Sequence, residues 1–477
     1  MTFMNSENYS GTCLGTHCGA RFGTRFGYSG LRSLITRFRS EIEVYGTQPV
    51  PASLRQAGSY DLFVIMANFL VNPASIYSAA LGVAGGLSFI TVVVTQVVAL
   101  FVAMVVLLVM ARMGVDYGLT GQMACRTALG VRGGRWLTSP LRAVCSVYWF
   151  AFQTLVSSLA LTAISSEYFG IIIPLTTVAL LFAVLQVSVA LVGYRWLQGV
   201  FGRALPLKVL CLVVIVALLW KQPAAGNNWF HLPADNDWLL VMLWFNAVVG
   251  SMLTNVTDSA DLVRYVKNRR SLWAGAMSGA LCGVVLGAGL GAWLMMVVGG
   301  SADDLYHNVL RAEPGLLMVV AIVVLIVMDN WTINIINLYT GGLSLSHTLE
   351  PVSRFTCTLL VSLPAIWLSG MPGVIHNYLQ TMEKAGVFFA AIAGVLLVDY
   401  FIRKWQLNVN ALYQVNGEYW YQYGFRISAL TIIALASLVG FSVPESWPLP
   451  IIVLLISAAG YRLIQHCEAR SSLVIKE

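Results

Sequence analysis

Twelve long apolar stretches occupy most of this chain, and they constrain its fold more than any other feature of the sequence. A transmembrane helix needs about 20 apolar residues to cross the roughly 30 Å of hydrocarbon in a bilayer. Because no water reaches that depth, backbone N–H and C=O groups must pair within each segment, which favours helices over open sheets. The sequence therefore predicts an all-α polytopic membrane protein with twelve transmembrane helices. The predicted spans are 61–88, 89–111, 143–165, 171–192, 207–220, 238–260, 272–299, 315–338, 354–371, 384–401, 427–443 and 448–464.

Composition supports this fold class. Of the 477 residues, 58% are hydrophobic and 10% are charged, whereas a soluble domain carries about 25% charged residues. These values exclude an ordinary cytosolic enzyme, a disordered protein and a nucleic-acid-binding protein. The net charge of +7 reflects where arginine and lysine are placed along the chain rather than an acidic partner.

The positive charges indicate an orientation, because cytoplasmic loops of membrane proteins are enriched in arginine and lysine. With a cytoplasmic N-terminus, the outer connections hold Lys221, Arg311 and Lys384, and the other basic residues fall on the inner side. Lys208 is counted among the inner residues, at the edge of the fifth span. The sequence thus predicts a multi-pass protein of the plasma or bacterial inner membrane with both termini in the cytoplasm.

The first and sixth spans carry the residues of broken helices. The first contains Asn72 and Pro73 at mid-membrane depth, and the sixth contains Gly250, Ser251 and Thr254. Proline removes a backbone donor, and polar residues at this depth usually face a cavity or the protein interior. Interrupted helices at matching positions of two halves indicate a transporter binding site. The alternative is two ordinary helices, one with a proline kink and one with a glycine-rich packing face.

Spans one and six are five apart, which predicts two inverted five-helix repeats followed by two additional helices. The polar, arginine-bearing N-terminal tail is expected to set orientation or to meet anionic lipid. The predicted segments are a cytoplasmic tail at 1–60, spans one to five at 61–220, spans six to ten at 238–401, spans eleven and twelve at 427–464 and a second cytoplasmic tail at 465–477.

The third span places an indole and an amide on one helix face. Trp149 and Gln153 are four residues apart, so their side chains are neighbours on a helix. A flat heteroaromatic ring can stack on the indole, while the amide supplies both a donor and an acceptor. The alternative is that Trp149 is an ordinary core residue.

The eighth span contains two adjacent polar stripes. Asn330, Asn334 and Asn337 form one stripe at spacings of four and three, and Asp329 and Thr332 form the other. Such groups are costly within a membrane unless they serve a site or pair with other helices. The amides therefore indicate either a binding site or hydrogen bonds between helices.

At these positions the sequence resembles the nucleobase–cation symporter family of cytosine, purine, uracil, thiamine, allantoin and hydantoin permeases. The resemblance runs from about residue 43 to residue 445. Each motif is modest alone, but six occur in the family's order. They are Tyr45–Pro51 before the first span, Gly114–Val131 after the second, Trp149-Phe150 with Gln153, Gly250-Ser251 with Ala260-Asp261 and Arg264-Tyr265, Trp331–Asn334 with Leu338-Tyr339, and Ala393–Val395 with Asp399-Tyr400.

The resemblance implies alternating access and a flat nitrogen heterocycle bound at mid-membrane between spans one, three, six and eight. By matching, Trp149 would stack on the substrate and Gln153 would hydrogen-bond to it. Met252 departs from the family, in which many members carry Trp or Phe at this position, although a thioether also packs against a ring face. The remaining predicted substrate contacts are Asn72, Ser251, Met252, Thr254, Asn334 and Asn337.

The resemblance also implies a sodium site, from which this sequence departs. The family uses carbonyls at the break in span one, a carbonyl of span eight and two span-eight hydroxyls, which fall on Thr332 and Ile333. Ile333 supplies no oxygen, whereas a hard cation needs several oxygen ligands. Asp329 stands where the residue that donates the span-eight carbonyl normally sits. We therefore predict an altered cation-coupling site of Asp329, Thr332, Asn72 and Pro73. In it Thr332, Asp329 and span-one carbonyls hold Na+, or Asp329 accepts a proton.

The leading prediction is a secondary active transporter that imports a nucleobase or related heterocycle by symport with Na+ or H+. Its expected partners are that heterocycle, the coupling cation and the bilayer, with no cofactor and no nucleic acid. Transport of another flat heterocycle, such as a vitamin precursor, is the alternative within this class. A membrane enzyme is disfavoured because the six histidines are scattered. A channel is disfavoured because broken helices beside a stacking pair are typical of a binding site.

Overall fold

The computed structural model describes residues 46–190, 194–222 and 235–474, and these residues form helices joined by turns and loops. Across these ranges β-structure is limited to two isolated bridges. Single helical turns lie at Ala52–Leu54, Val131–Gly133, Gly134–Thr138, Ala302–Asp304, Gly373–His376 and Asn410–Tyr413. The longer helices are α1 Ser59–Leu70, α2 Pro73–Ala84, α3 Phe89–Tyr117, α4 Gly121–Leu129, α5 Ser139–Glu167, α6 Leu175–Ala190, α7 Tyr194–Leu219, α8 Asp235–Leu253, α9 Arg269–Val298, α10 Leu305–Ala312, α11 Leu316–Thr348, α12 Arg354–Ser369, α13 Tyr378–Ile402, α14 Ile427–Gly440 and α15 Leu449–Val474.

Each predicted apolar stretch overlaps a helix. Within the described ranges, seven helices are long and apolar enough to cross a membrane, and α1 with α2 makes an eighth such element. Four shorter apolar helices, within α6, α8, α12 and α14, occupy the other predicted positions. The helical class therefore agrees with the sequence, while the count of twelve spans stays a prediction.

The first span breaks where Asn72 and Pro73 predict it. The chain turns by 48° between α1 and α2. Asn72 is extended and caps α2, because its Oδ1 accepts a hydrogen bond from the Ser75 amide at 2.9 Å. Pro73 follows as the first helical residue, a position where its fixed φ is favourable and its missing N–H costs nothing. The polar residues at this depth thus begin a second half-helix.

The sixth span loses its α-helix at the predicted depth. Helix α8 ends at Leu253, and residues 254–264 continue as a series of turns. In these turns the amides of Asn255 and Asp258 donate to carbonyls three residues earlier, those of Met252 and Asn255. Two interrupted elements therefore lie in the same molecule at matching positions of the sequence.

Helix α9 packs against both halves of the broken first span through a stripe of glycines. The glycines recur every fourth residue and face the backbone of α1 and then of α2. A Cβ atom on Gly283, for example, would lie 2.7 Å from the Ala67 carbonyl oxygen. Small residues in such a stripe let helix backbones approach closely. The stripe consists of Gly275, Gly279, Gly283, Gly287 and Gly291.

Several helices extend beyond their predicted spans, and two of them correct specific sequence-based assignments. Helix α7 begins at Tyr194, so Lys208 lies inside a helix and is fully buried rather than at its cytoplasmic edge. Helix α15 continues to Val474, through most of the predicted tail at 465–477. Residues 1–45 of the predicted N-terminal tail lie outside the described residues.

Candidate functional site

A cavity lies beside the break between α1 and α2, with an empty volume of about 590 Å³. Six of the predicted substrate contacts line it, contributed by the break and by α5, α8 and α11. These are Asn72, Trp149, Gln153, Ser251, Met252 and Asn337. The sequence reasoning missed several other polar or aromatic lining residues, namely Ser75, Ser78, Gln96, Asn255 and Tyr378.

Trp149 and Tyr378 line this cavity, and Phe152 packs against both of them from outside the lining. Phe152 and Tyr378 stack with ring centroids 4.3 Å apart and planes 7° from parallel. Trp149 meets both of these rings edge-on, and its Nε1 donates a hydrogen bond to Thr254 Oγ1 at 3.1 Å. Thr254 is fully buried and is absent from the cavity lining, so it holds the indole in place rather than facing the cavity.

The Gln153 amide joins α5 to the broken helix. Its Oε1 accepts from the backbone amide of Ala74 at 3.1 Å, and its Nε2 donates to Asn72 Oδ1 at 3.3 Å. The Asn72 side chain also donates to the Phe69 carbonyl. Donors and acceptors of two side-chain amides and one backbone amide thus converge at the break, on the cavity wall.

The asparagine stripe of α11 divides into two roles. Asn337 lines the cavity and donates to Asn334 Oδ1 at 3.0 Å. Asn334 lies outside the cavity lining, and its Nδ2 lies 2.6 Å from Gln186 Oε1 on α6 and 3.0 Å from Thr154 Oγ1 on α5. Asn330 donates to the Gln153 carbonyl at 3.2 Å. For Asn334 the geometry favours the alternative of hydrogen bonds between helices, because its amide is saturated by neighbouring elements.

A buried ion pair occupies the predicted cation-coupling region. Asp329 and Lys208 are both fully buried, with Lys208 Nζ 2.8 Å from Asp329 Oδ1. The ammonium also donates to Thr332 Oγ1 at 2.8 Å and to the Val71 carbonyl at 3.2 Å. Within the described ranges the Asp329 carboxylate has no hydrogen bond of good geometry, so the lysine charge is its compensating contact. The sequence analysis missed Lys208 because it began the fifth span at residue 207. Helix α7 begins at Tyr194, so Lys208 lies fourteen residues after the helix start.

A second cavity adjoins the first and shares Phe69, Met252 and Asn255 with it. Its polar feature is an ion pair between Arg142 on α5 and Asp258 after α8, with Nε and Oδ2 2.6 Å apart and both side chains buried. This pair ties α5 to the irregular half of the sixth span.

The family model for permeases of cytosine and purines, uracil, thiamine and allantoin matches residues 49–463 of this chain. A hydantoin permease of Microbacterium maritypicum is 24% identical over 419 residues, which cover 83% of this chain and 84% of that protein. An allantoin permease of Bacillus subtilis is 23% identical over 403 residues, covering 76% and 81% of the two chains. The match to the family model thus spans all of the described helices except the end of α15.

Solved structures with a similar fold include two of Mhp1, a nucleobase–cation symporter. Its closed conformation with bromovinylhydantoin gives a TM-score of 0.72 at 20% identity and covers 89% of this chain and 96% of Mhp1. Its inward-facing conformation gives 0.74 at 20% identity, with 90% and 95% coverage. The likeness confirms the predicted fold class, a polytopic all-α membrane protein with inverted repeats. This chain belongs to the permease family for cytosine and purines, uracil, thiamine and allantoin.

Proposed function

We propose that this permease imports a nucleobase or related planar nitrogen heterocycle, bound in the cavity beside the broken first span. Family membership makes the chain a cation-coupled transporter with alternating access rather than an enzyme. The observation that carries the proposal is the meeting of Trp149 and Gln153 with Asn72 on the wall of one cavity. An apolar cavity with a few convergent polar groups is the usual form of a small-molecule site.

The cavity residues match the chemistry of such a ring. The faces of a heterocycle are apolar and polarisable, and they suit the Trp149 indole on one side and the Met252 thioether on the other. Its edge alternates N–H donors and C=O acceptors, which suit the carboxamides of Gln153, Asn72 and Asn337 because each amide offers both. Ser251, Thr254 and Asn334 complete the proposed set, the last two by holding neighbours in position.

The named relatives narrow the proposed substrates. One is a hydantoin permease and the other an allantoin permease, and Mhp1 was solved with bromovinylhydantoin bound. We propose hydantoins, allantoin, cytosine, uracil and purines as the substrate class, with a vitamin precursor of similar shape as the alternative. A panel of these compounds in a thermal-shift assay of the purified permease tests this choice. The proposed substrate class would be contradicted if no compound in the panel raised the melting temperature of the permease.

Coupling to a cation is proposed to act through Asp329 and Thr332 on α11 and through Asn72 and Pro73 at the break. A coupling site must link the broken helix to the helix packed against it. Asn72 and Pro73 lie at the break between α1 and α2, and Asp329 and Thr332 lie on α11. The inverted repeats at 61–220 and 238–401 and a cytoplasmic position of both termini belong to the same proposal.

Vesicle uptake under imposed gradients tests the coupling. In Asp329→Asn we expect heterocycle binding to persist while gradient-driven accumulation is lost, because the variant removes the buried carboxylate that pairs with Lys208 beside the break. Asp304→Asn, at an exposed carboxylate, is the matched control and should accumulate substrate normally. Full accumulation by Asp329→Asn under either an H+ or an Na+ gradient would remove Asp329 from the coupling site.

A further inference from the structure

The Lys208 ammonium sits in a shell of oxygen atoms at the break in the first span. Two of its contacts are carbonyl oxygens of α1 and the turn after it, Val71 at 3.2 Å and Asn68 at 3.4 Å. The others come from α11, Thr332 Oγ1 and Asp329 Oδ1, each at 2.8 Å. Lys208 and Asp329 are both 0% exposed. One positive charge thus contacts four oxygens from two elements and is sealed from solvent.

The break frees backbone carbonyls at the end of α1. In an unbroken helix the amides of residues 74 and 75 would donate to the carbonyls of Leu70 and Val71. Here the Ser75 amide donates to Asn72 Oδ1 instead, and the Ala74 amide donates to Gln153 Oε1. The carbonyls of Leu70 and Val71 therefore lack these helical partners and lie at the negative end of the α1 dipole. Carbonyls freed in this way are what coordinates a cation in transporters with broken helices.

We propose that Lys208 is a built-in cation that fills this site, so that the permease binds and moves its heterocycle without sodium there. The inference rests on the proposed function, and it settles the choice of ion at one site. A hard cation needs several oxygen ligands at short distance, and the four oxygens present already contact the ammonium. A sodium ion added beside Lys208 would share one carboxylate between two buried positive charges, and an unpaired buried charge is strongly unfavourable.

A role as an ordinary structural ion pair would also explain the burial, so the test must separate the two roles. Lys208→Ala removes the ammonium but leaves Asp329, Thr332 and the Asn68 and Val71 carbonyls that contacted it in place. If the site is a cation site, this variant should accept Na+ from solution. If the pair is merely structural, sodium should not substitute for the lost charge.

The experiment measures the apparent melting temperature of the purified full-length permease in sodium chloride and in choline chloride at equal ionic strength. The wild type and Lys384→Gln, at an exposed lysine on α13, should melt at the same temperature in both salts. Lys208→Ala should be destabilised in choline and regain several degrees in sodium, because a ligand that binds the folded state stabilises it. Sodium-dependent melting of the wild type, or a Lys208→Ala variant indifferent to sodium, would overturn the proposal.

A second variant covers the case in which Lys208→Ala does not fold in either salt. Lys208→Met with Asp329→Asn removes both charges together, so it leaves no unpaired buried ion and should fold. It should show the same melting temperature in sodium and choline, and a sodium-dependent rise would count against the proposal. A further observation would support the proposal. Lys208→Ala would be obtained as a folded protein from cells grown with sodium, but not from cells grown in sodium-free medium.

Heterocycle binding separates a failure of this inference from a failure of the proposed function. For a compound that stabilises the wild type, its Kd should differ by less than about twofold between the two salts. In Lys208→Ala the Kd should be roughly tenfold lower in sodium than in choline, within the usual range of coupling between two sites. If the melting results hold but the whole panel fails to bind, the proposed substrate class fails and the cation assignment stands.

Discussion

Single residues decide what the cavity can hold, and Trp149 is the one whose role is sharpest. Its indole is positioned by two rings and by the hydrogen bond to Thr254, so it presents a fixed apolar surface to the cavity. A fixed plate costs little ordering when a flat ligand binds. We therefore expect the Trp149 side chain to act as a stacking platform for the heterocycle rather than as an ordinary core residue.

Replacement of Trp149 tests that platform. Stacking on an aromatic side chain is worth about 1–3 kcal/mol for a base, so we expect Trp149→Ala to raise the heterocycle Kd by roughly 5- to 150-fold. Trp367→Ala removes an exposed tryptophan of α12 and should leave the Kd unchanged. Equal affinities in Trp149→Ala and the wild type, measured by calorimetry, would show that the ring lies elsewhere.

The two asparagines of α11 make opposite predictions. Asn334 bridges α5, α6 and α11, so Asn334→Ala should lower the free energy of unfolding by about 1–3 kcal/mol, the usual cost of unsatisfied buried partners. Asn337 faces the cavity, and Asn337→Ala should weaken heterocycle binding with little change in melting temperature. Thermal unfolding and Kd measured on both variants check this, and the reverse pattern would exchange their roles.

The sequence identified about half of the site at this scale. Trp149 and Gln153 were readable because a four-residue spacing fixes a shared helix face, and Asn72 because it precedes a proline. Tyr378 was missed because it lies at the start of α13, six residues before the predicted tenth span. Lys208 was missed because charge counting assigns a lysine near a predicted span end to the loop.

At the scale of elements, the glycine stripe of α9 determines how the broken span is supported. Its backbone touches α1 below the break and α2 above it. This close contact between backbones holds both half-helices against α9. The amides of Ala74 and Ser75, just after the break, donate to side chains instead of continuing the helix of α1. The pattern of glycines every fourth residue was present in the sequence and was the signal that could have predicted this packing.

Two glycines of α9 provide a matched test of that support. Gly283→Ala places a methyl group against the Ala67 carbonyl, so we expect a loss of about 1–3 kcal/mol in the free energy of unfolding from overpacking. Gly289 lies on the same helix with nothing near its Cβ position, and Gly289→Ala should be neutral or stabilising by up to about 1 kcal/mol. Chemical denaturation in detergent measures both values. Equal effects would mean that the stripe is not a tight contact.

At the scale of the whole molecule, the cavity beside the break lies between two groups of helices. On one side α1 and α9 are held together by the glycine stripe. On the other side α5, α11 and α12 pack against one another. Because the first group lacks intervening side chains, it should move as a rigid unit relative to the second during alternating access.

Distance measurements between spin labels test this division in a cysteine-free background. The exposed positions Tyr60 on α1, Trp273 on α9 and Phe355 on α12 are suitable label sites. We expect the 60–273 distance to stay constant when a heterocycle is added, while the 60–355 distance gains a second population. A change in the 60–273 distance would show that α1 moves independently of α9.

The helical class, the position of both breaks and the family were predictable at this scale. Backbone N–H and C=O groups in lipid must be hydrogen-bonded within the protein, and this leaves few possible folds. Span ends were less predictable, since α7 starts at Tyr194 and α15 continues to Val474 beyond their apolar cores. Contacts between distant elements, such as Arg142 with Asp258, depend on packing that hydropathy does not encode.

Lys208, buried at the break in the first span, has a consequence for the media in which a cell can use this permease. If Lys208 supplies the positive charge at this site, as we propose, the carrier needs no sodium ion from the medium there. Cells that take up the heterocycle through this permease should then use it equally well from fresh water and from brine.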